Sequence, residues 1–225
     1  MRIINIAVDG YSSSGKSTLA KSLALKLGYK YIDTGAMYRA VTLFSIQNNL
    51  IENDYVKVNS LINTLENINI EVYFKSNLSE IILNGKNITK DIRSMEVSNH
   101  VSNISKIKEV RYKLVKQQQL LSKDKGFVID GRDIGSVVLP DAELKFFIDA
   151  SLNERIRRRF NELKRKDDKT TFNKVEQNIK KRDITDENRG NSPLIRTTDS
   201  IYIDNTNLSK SDQLELALKF YKMIV

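Results

Sequence analysis

The sequence predicts an α/β fold with three layers around a parallel sheet, and three observations carry that reading. Short apolar runs rich in β-branched residues recur without polar alternation, as strands buried on both faces require. Between them lie segments whose apolar residues repeat at helical spacing. The first strand, first helix and second strand also follow one another within residues 4–33, the order of a parallel crossover unit.

INIAV (4–8) is the first strand, and STLAKSLALKL (17–27) the first helix, with Gly28 as its stop. YKYID (29–33) is a second strand, and DTGAMYRAVTLFSIQNN reads as a turn feeding a second helix. The pattern changes over 68–90, where INIEVYF alternates with period two. There SEIILNGKNIT sets an Asn84-Gly85 turn between strand-like arms, so a small antiparallel insertion is expected. Helical periodicity returns from about Ser94 to Leu121. GFVID (126–130) and LKFFIDA (144–150) are further buried strands. SLNE then places Ser151 and Glu154 at capping-box spacing and opens a strongly basic helix. A polar helix over roughly 172–189, a last strand in SIYIDNT and a closing helix in SKSDQLELALKFYKMI complete the chain.

The chain's 225 residues suffice for one domain, or one core carrying insertions, and 40% hydrophobic with 29% charged residues fits a soluble globular protein. No apolar run approaches a membrane span, and MRIINIAVDG is too brief for a signal-peptide core, so a cytoplasmic protein is expected. The absence of cysteine excludes disulfide scaffolds and thiolate metal sites. A net charge of +9 suits either a nucleic-acid surface or a pocket for small, highly charged anions.

GYSSSGKST, from Gly10, decides between them. Gly10 through Ser17 satisfies G-x-x-x-x-G-K-[ST] between a buried strand and a helix. The glycines let the backbone wrap closely, so that the amides around Ser12, Ser13 and Ser14 form an anion nest. The helix N-terminus beyond Gly15 adds the amides up to Thr18 and the positive end of its dipole. Lys16 reaches the β- and γ-phosphates, and the Ser17 hydroxyl ligates Mg²⁺. The loop therefore holds a nucleoside triphosphate. Asp130, ending GFVID, fits the strand-end carboxylate that organises the metal.

Such a loop serves GTPases, motors and small-molecule kinases. The nearest match to a guanine-reading N-K-x-D is Asn173-Lys-Val-Glu, which lacks the Asp, and a motor normally needs a longer chain. The arginines favour a kinase. Arg182, Asp186 and Arg189 fall at i, i+4 and i+7 on one helix face. Arg157, Arg158 and Arg159 crowd the helix after Ser151, Arg39 follows DTGAMY, and Arg132 lies in DGRD. Bringing two phosphorylated substrates together needs many guanidinium forks.

GYSSSGKST, YIDTGAMYRAV, DGRDIGSVVLPDAELKFFIDAS and KRDITDENRGNSPL, in this order over nearly the whole chain, resemble the bacterial cytidylate kinases. The block from DGRDIG to LKFF is much more specific than the phosphate loop. The resemblance implies a P-loop kinase core, a monophosphate-binding domain carrying the β insertion, and a helical lid. It divides the chain into a core of about 1–33, 122–152 and 195–225, a monophosphate region of about 34–121 with its insertion at about 66–92, and a lid of about 153–190. It implies ATP and Mg²⁺ with CMP or dCMP as acceptor, no nucleic-acid or membrane partner, and a monomer. The acceptor site it implies comprises Thr34, Gly35, Tyr38, Arg39, Ser102, Arg111, Asp133, Arg182, Asp186 and Arg189. Tyr11 and Ser13 depart from the family's usual Pro and Gly, and NRGNSPL from its usual NRAVAPL.

An acceptor phosphate with a second pKa of roughly 6 is a dianion at neutral pH and attacks without deprotonation. No general base is needed, and His100, the chain's single histidine, reads as an ordinary helix-surface residue. Catalysis then rests on alignment and charge stabilisation by Lys16 and by Arg157 or Arg158, with Arg39, Arg132, Arg182 and Arg189 orienting the acceptor. Asp133 is the candidate to accept from the cytosine amino group and Asp186 to meet the sugar, though their roles could be exchanged. Arg111 and Ser102 would meet N3 and O2. The stretch from Arg155 to Lys169 has the composition of a lid that closes over phosphates. Two alternatives stay open: a P-loop kinase for another small acceptor, and a nucleic-acid-binding module switched by ATP.

Overall fold

The computed structural model describes residues 2–165 and 170–225. The chain runs through β1 (Ile6–Gly10), α1 (Lys16–Leu27), β2 (Lys30–Asp33) and α2 (Thr34–Gln47). A small hairpin of β3 (Ile51–Glu52) and β4 (Tyr55–Val56) follows, then α3 (Val58–Thr64) and the strands β5 (Ile70–Lys75), β6 (Leu78–Leu83) and β7 (Lys86–Asn87). Next come α4 (Met95–Ser105), α5 (Lys108–Leu121), β8 (Phe127–Gly131) and β9 (Leu144–Asp149). The last elements are α6 (Leu152–Lys164), α7 (Phe172–Asn188), β10 (Ile201–Asp204) and α8 (Lys210–Ile224).

The main sheet has the order β10-β9-β1-β8-β2-β6-β5, and from β10 to β6 every pairing is parallel. Alternation along β1 builds the layers. Ile6 and Val8 pack with Leu19, Ala20, Leu23 and Ala24 of α1 and Ala217 of α8, whereas Ala7 joins Ile32, Ile129 and Ile134 on the opposite side. β1, β8 and β9 are buried on both faces, which is why they read as continuous apolar runs. Their carboxyl ends bring Gly10, Asp33, Gly131 and Asp149 to one edge. The chain leaves β1 there with β8 on one flank and β9 on the other, a topological switch point where ligands bind.

The antiparallel insertion is present as β5 paired with β6, and Asn84 (φ 47°) with Gly85 (φ 81°) forms the expected tight turn into β7. It is not a separate sheet. Tyr31 of β2 pairs with Leu78 of β6, so the hairpin extends the core sheet. The β3–β4 hairpin escaped the sequence because its strands are two residues each.

The helical stretch expected from Ser94 to Leu121 is present and is divided into two helices. Ile107 is buried in an extended conformation (ψ 120°), and the Arg111 guanidinium donates to the Ser105 carbonyl at the end of α4 (3.2 Å). The capping box at Ser151 does not form. The Ser151 amide donates to Thr206 Oγ1 (2.9 Å), while the Glu154 carboxylate is held by Arg157 and Arg158 instead of reaching back. A capping box does form at α8, between Ser209 and Asp212.

Gly10 closes β1 at φ 149°, paired with Ile148, and a Cβ there would collide with the Ile148 carbonyl. Gly10→Ala is therefore expected to destabilise the fold by about 2–4 kcal/mol, read as a lowered urea midpoint.

Candidate functional site

The phosphate loop owes its shape to two residues in the left-handed backbone region. Ser13 sits at φ 61° and Gly15 at φ 98°, and a Cβ on Gly15 would collide with the Asn205 side chain. α1 starts at Lys16 with no side-chain cap and no acidic residue in its first turn. α2, by contrast, is capped by Asp33, which accepts from the Ala36 amide (3.1 Å). The first turn of α1 thus carries no acidic residue of its own against the positive end of its dipole.

That cleft has a volume of about 420 Å³. Ser12, Ser13, Gly15, Lys16, Ser17 and Thr18 line one end. Lys16 donates to the Tyr11 carbonyl (2.9 Å), and burial, reinforced by Arg132, lowers its pKa to about 7. The Ser17 hydroxyl donates to Asp130 Oδ2 (2.7 Å), and Tyr31 donates to Oδ1 of the same carboxylate (2.5 Å). Burial and then the neighbouring Asp33 push Asp130 upward, and Lys16 opposes them.

The other end is built around an alternating chain of charges. Arg132 donates to Asp186 (2.7 Å), and Asp186 lies 3.8 Å from Arg189. Arg189 in turn lies 3.7 Å from Asp133, which is paired with Arg111. Burial alone would raise Asp186, but Arg132, Arg182 and Arg189 hold it below the usual carboxylate range. Burial, reinforced by Arg132, lowers Arg182 to about 10. Arg39 is fixed by Asp33 (2.7 Å), itself kept low against burial by Arg39, Arg93 and Lys21.

Among the described residues ten cationic side chains line this cleft against five carboxylates. Several donors find no hydrogen-bond partner among the described residues: Nε of Arg39, Arg111 and Arg182 and the Tyr38 hydroxyl are buried without an acceptor. Buried donors without acceptors are costly, so the cleft is built for ligands rich in negatively charged oxygen.

Thr34, Gly35, Tyr38, Arg39, Ser102, Arg111, Asp130, Arg132, Asp133, Arg158, Arg182, Asp186 and Arg189 all line the cleft. Three expected residues do not. Gly10 and Ser14 lie behind the loop, where the Ser14 carbonyl accepts from Arg158 and Asn205. Arg157 is the clearer correction: its guanidinium grips Glu154 at 2.8 Å on the outer face of α6 and is 67% exposed. Arg159 takes the cleft-facing place, donating to Ser98 of α4 (3.2 Å). Arg155, which opens the basic stretch read as a lid, is buried, and residues 166–169 of that stretch lie outside those described. His100 stays out of the cleft, 3.5 Å from Asp54.

Sequence reasoning missed Lys21, Asp33 and Arg93 as lining residues, and Asp9, which supports the turn after β8. Asp9 accepts from the amides of Ile134 and Gly135 (both 2.7 Å), fixing the turn that carries Arg132 and Asp133. Burial pushes its carboxyl up to about 7, although these two amides favour the charged form. A carboxylate ending an apolar strand just before the phosphate loop was the available signal.

The family described as Cytidylate kinase matches residues 6–223. Proteins named cytidylate kinase from Flavobacterium johnsoniae and Bacteroides thetaiotaomicron are 48% and 46% identical, each alignment covering 100% of this chain and 99% of the relative. One from Caldicellulosiruptor saccharolyticus is 47% identical over 100% of this chain and 98% of its own length. With a phosphate loop at one end of a single cleft and an arginine-aspartate chain at the other, the protein belongs to the cytidylate kinase family.

Proposed function

We propose that the protein transfers the γ-phosphoryl group of ATP to CMP or dCMP, giving ADP and the cytidine diphosphate. One observation carries this reading: the phosphate loop and the alternating chain from Arg132 to Arg111 line the same cleft, so donor and acceptor phosphates meet end to end.

The donor triphosphate lies along the loop amides, and Lys16 leaves the Tyr11 carbonyl for its β- and γ-oxygens. Arg158, already seated on the Ser14 and Asn205 carbonyls, borders the donor end. The acceptor phosphate takes the unpaired donors of Arg39 and Arg182, together with Arg132. The base lies deeper, against Ser102, Arg111, Asp133 and Arg189. The acceptor is a dianion at neutral pH, so no protein base is required, and the residues here align, neutralise and exclude water.

Ser17 and Asp130 fit a Mg²⁺ ion. A hydroxyl and one buried carboxylate stand together, and among the described residues no group of three or more His, Cys, Asp or Glu could hold a metal alone. That suits a cation bound by one or two carboxylates and completed by substrate phosphates. When bound it would neutralise charge between the β- and γ-phosphates. Among the described residues no helix is long and apolar enough to cross a membrane.

The deciding experiment offers ATP and Mg²⁺ with a panel of nucleoside monophosphates and scores ADP release. Turnover is expected with CMP and dCMP, and preference for another acceptor would refute the reading. Lys16→Ala should lower kcat by roughly 10²–10³-fold with an unchanged unfolding midpoint. Chelation of divalent cations should abolish turnover, and added Mg²⁺ should restore it. Asp133→Ala should narrow the ratio of kcat/KM for CMP over UMP, because its carboxylate accepts from the cytosine amino group and repels the uracil carbonyl. An unchanged ratio in the folded variant would assign base reading elsewhere.

A further inference from the structure

α7 presents two neighbouring rows of side chains. Arg182 and Asp186 face the cleft, whereas Asp183 and Glu187, one residue further on in each case, face the back of the phosphate loop. There the loop is held at both backbone atoms of Ser12. The Ser12 amide donates to Asp183 Oδ1 (3.4 Å), and its carbonyl accepts from Arg155 (3.3 Å). Arg155 is ion-paired with Asp183, and both are buried. Its guanidinium lies 5.0 Å from the centre of the Tyr11 ring, whose hydroxyl donates to Glu187 (2.6 Å). Burial and then Glu187 hold the Tyr11 phenol above its ordinary pKa, so it remains a donor. None of these four side chains lines the cleft.

We propose that Tyr11, Arg155, Asp183 and Glu187 are positioning residues that fasten the phosphate loop to α7, so that donor and acceptor binding are coupled through that helix. The proposal rests on the kinase reading above. A ligand phosphate that draws in Arg182 and the Arg132–Asp186 pair acts on the same rigid helix that grips Ser12. Each ligand then favours the arrangement the other needs, and the coupling must be reciprocal. Tyr11 is this chain's own contribution, since proline, usual there in the family, has no hydroxyl to offer Glu187.

The test titrates ADP calorimetrically without and with saturating CMP, a pair with no γ-phosphoryl to transfer. In the parent protein CMP should tighten ADP binding several-fold, within the span of about 5–150 that such couplings cover. Tyr11→Phe keeps the ring beside Arg155 but removes the hydroxyl; it and Glu187→Ala should each reduce that factor at least about threefold, with affinity for CMP alone unchanged. The double variant should lose little more than either single one, because both remove one bond. Asp183→Asn should abolish the coupling, but it leaves Arg155 unpaired, so Tyr11→Phe decides if that variant does not fold. No coupling in the parent, or a full coupling factor in a folded Tyr11→Phe protein, overturns the proposal. Absence of CMP turnover by the parent would instead overturn the functional reading, and this proposal with it.

Discussion

The alternation of guanidinium and carboxylate from Arg132 through Asp186, Arg189 and Asp133 to Arg111 is the constraint on which the rest of the structure depends. Its members come from the turn after β8, from α7 and its end, and from α5, so one run of ion pairs joins three separate parts of the chain. Like charges this close in a poorly solvated cleft would repel strongly without the two aspartates between them. Removing one partner from such a buried pair typically costs about 3–5 kcal/mol, because the survivor is left without compensation. The walls are therefore held apart at a spacing set by ion pairs, and the cleft does not collapse.

Neutralisation stops short of completion. Cations still outnumber carboxylates around the cleft, Arg182 keeps a buried unpaired Nε, and α1 adds the positive end of its dipole. Filling these positions with more aspartates would satisfy the arginines but leave nothing for a phosphate to do. The deficit is what gives anionic ligands their affinity for the cleft, and a neutral analogue of the same shape would lack it. The same deficit makes a general base unnecessary, since the acceptor brings its own negative oxygen.

Residues 10–18 were legible because the phosphate loop is local: glycine spacing, lysine and hydroxyl lie within one turn of chain. The parallel strands were legible because burial on both faces leaves an apolar run. What was not legible depends on contacts between distant segments. Docking of β6 against β2 rests on the single register pair of Tyr31 with Leu78. The three consecutive arginines of α6 look equivalent in sequence, yet they point about 100° apart around the helix. Glu154 draws Arg157 to the outer face by an i, i+3 pair, Arg158 meets the loop, and Arg159 crosses to Ser98. Arg155, grouped by composition with the other basic residues of 155–169, is buried because Asp183 lies 28 residues away in sequence but beside it in space. Charge content was visible, and partner choice was not.

The loop's departures from the family pattern follow from the same distinction. Ser13 at φ 61° occupies a conformation that glycine adopts freely and that costs a residue with a Cβ roughly 1–2 kcal/mol. A loop free to relax would escape that cost by flattening. Here Ser12 is pinned on both backbone atoms by Asp183 and Arg155, and the Ser14 carbonyl is held by Arg158 and Asn205. With both neighbours fixed, Ser13 must keep the left-handed turn. Strain of this kind persists only where surrounding contacts over-determine it. The strained residue and the clamp on either side of it are therefore one feature: the loop is kept in shape by what grips it from behind, and not by a glycine that would have adopted that shape unaided.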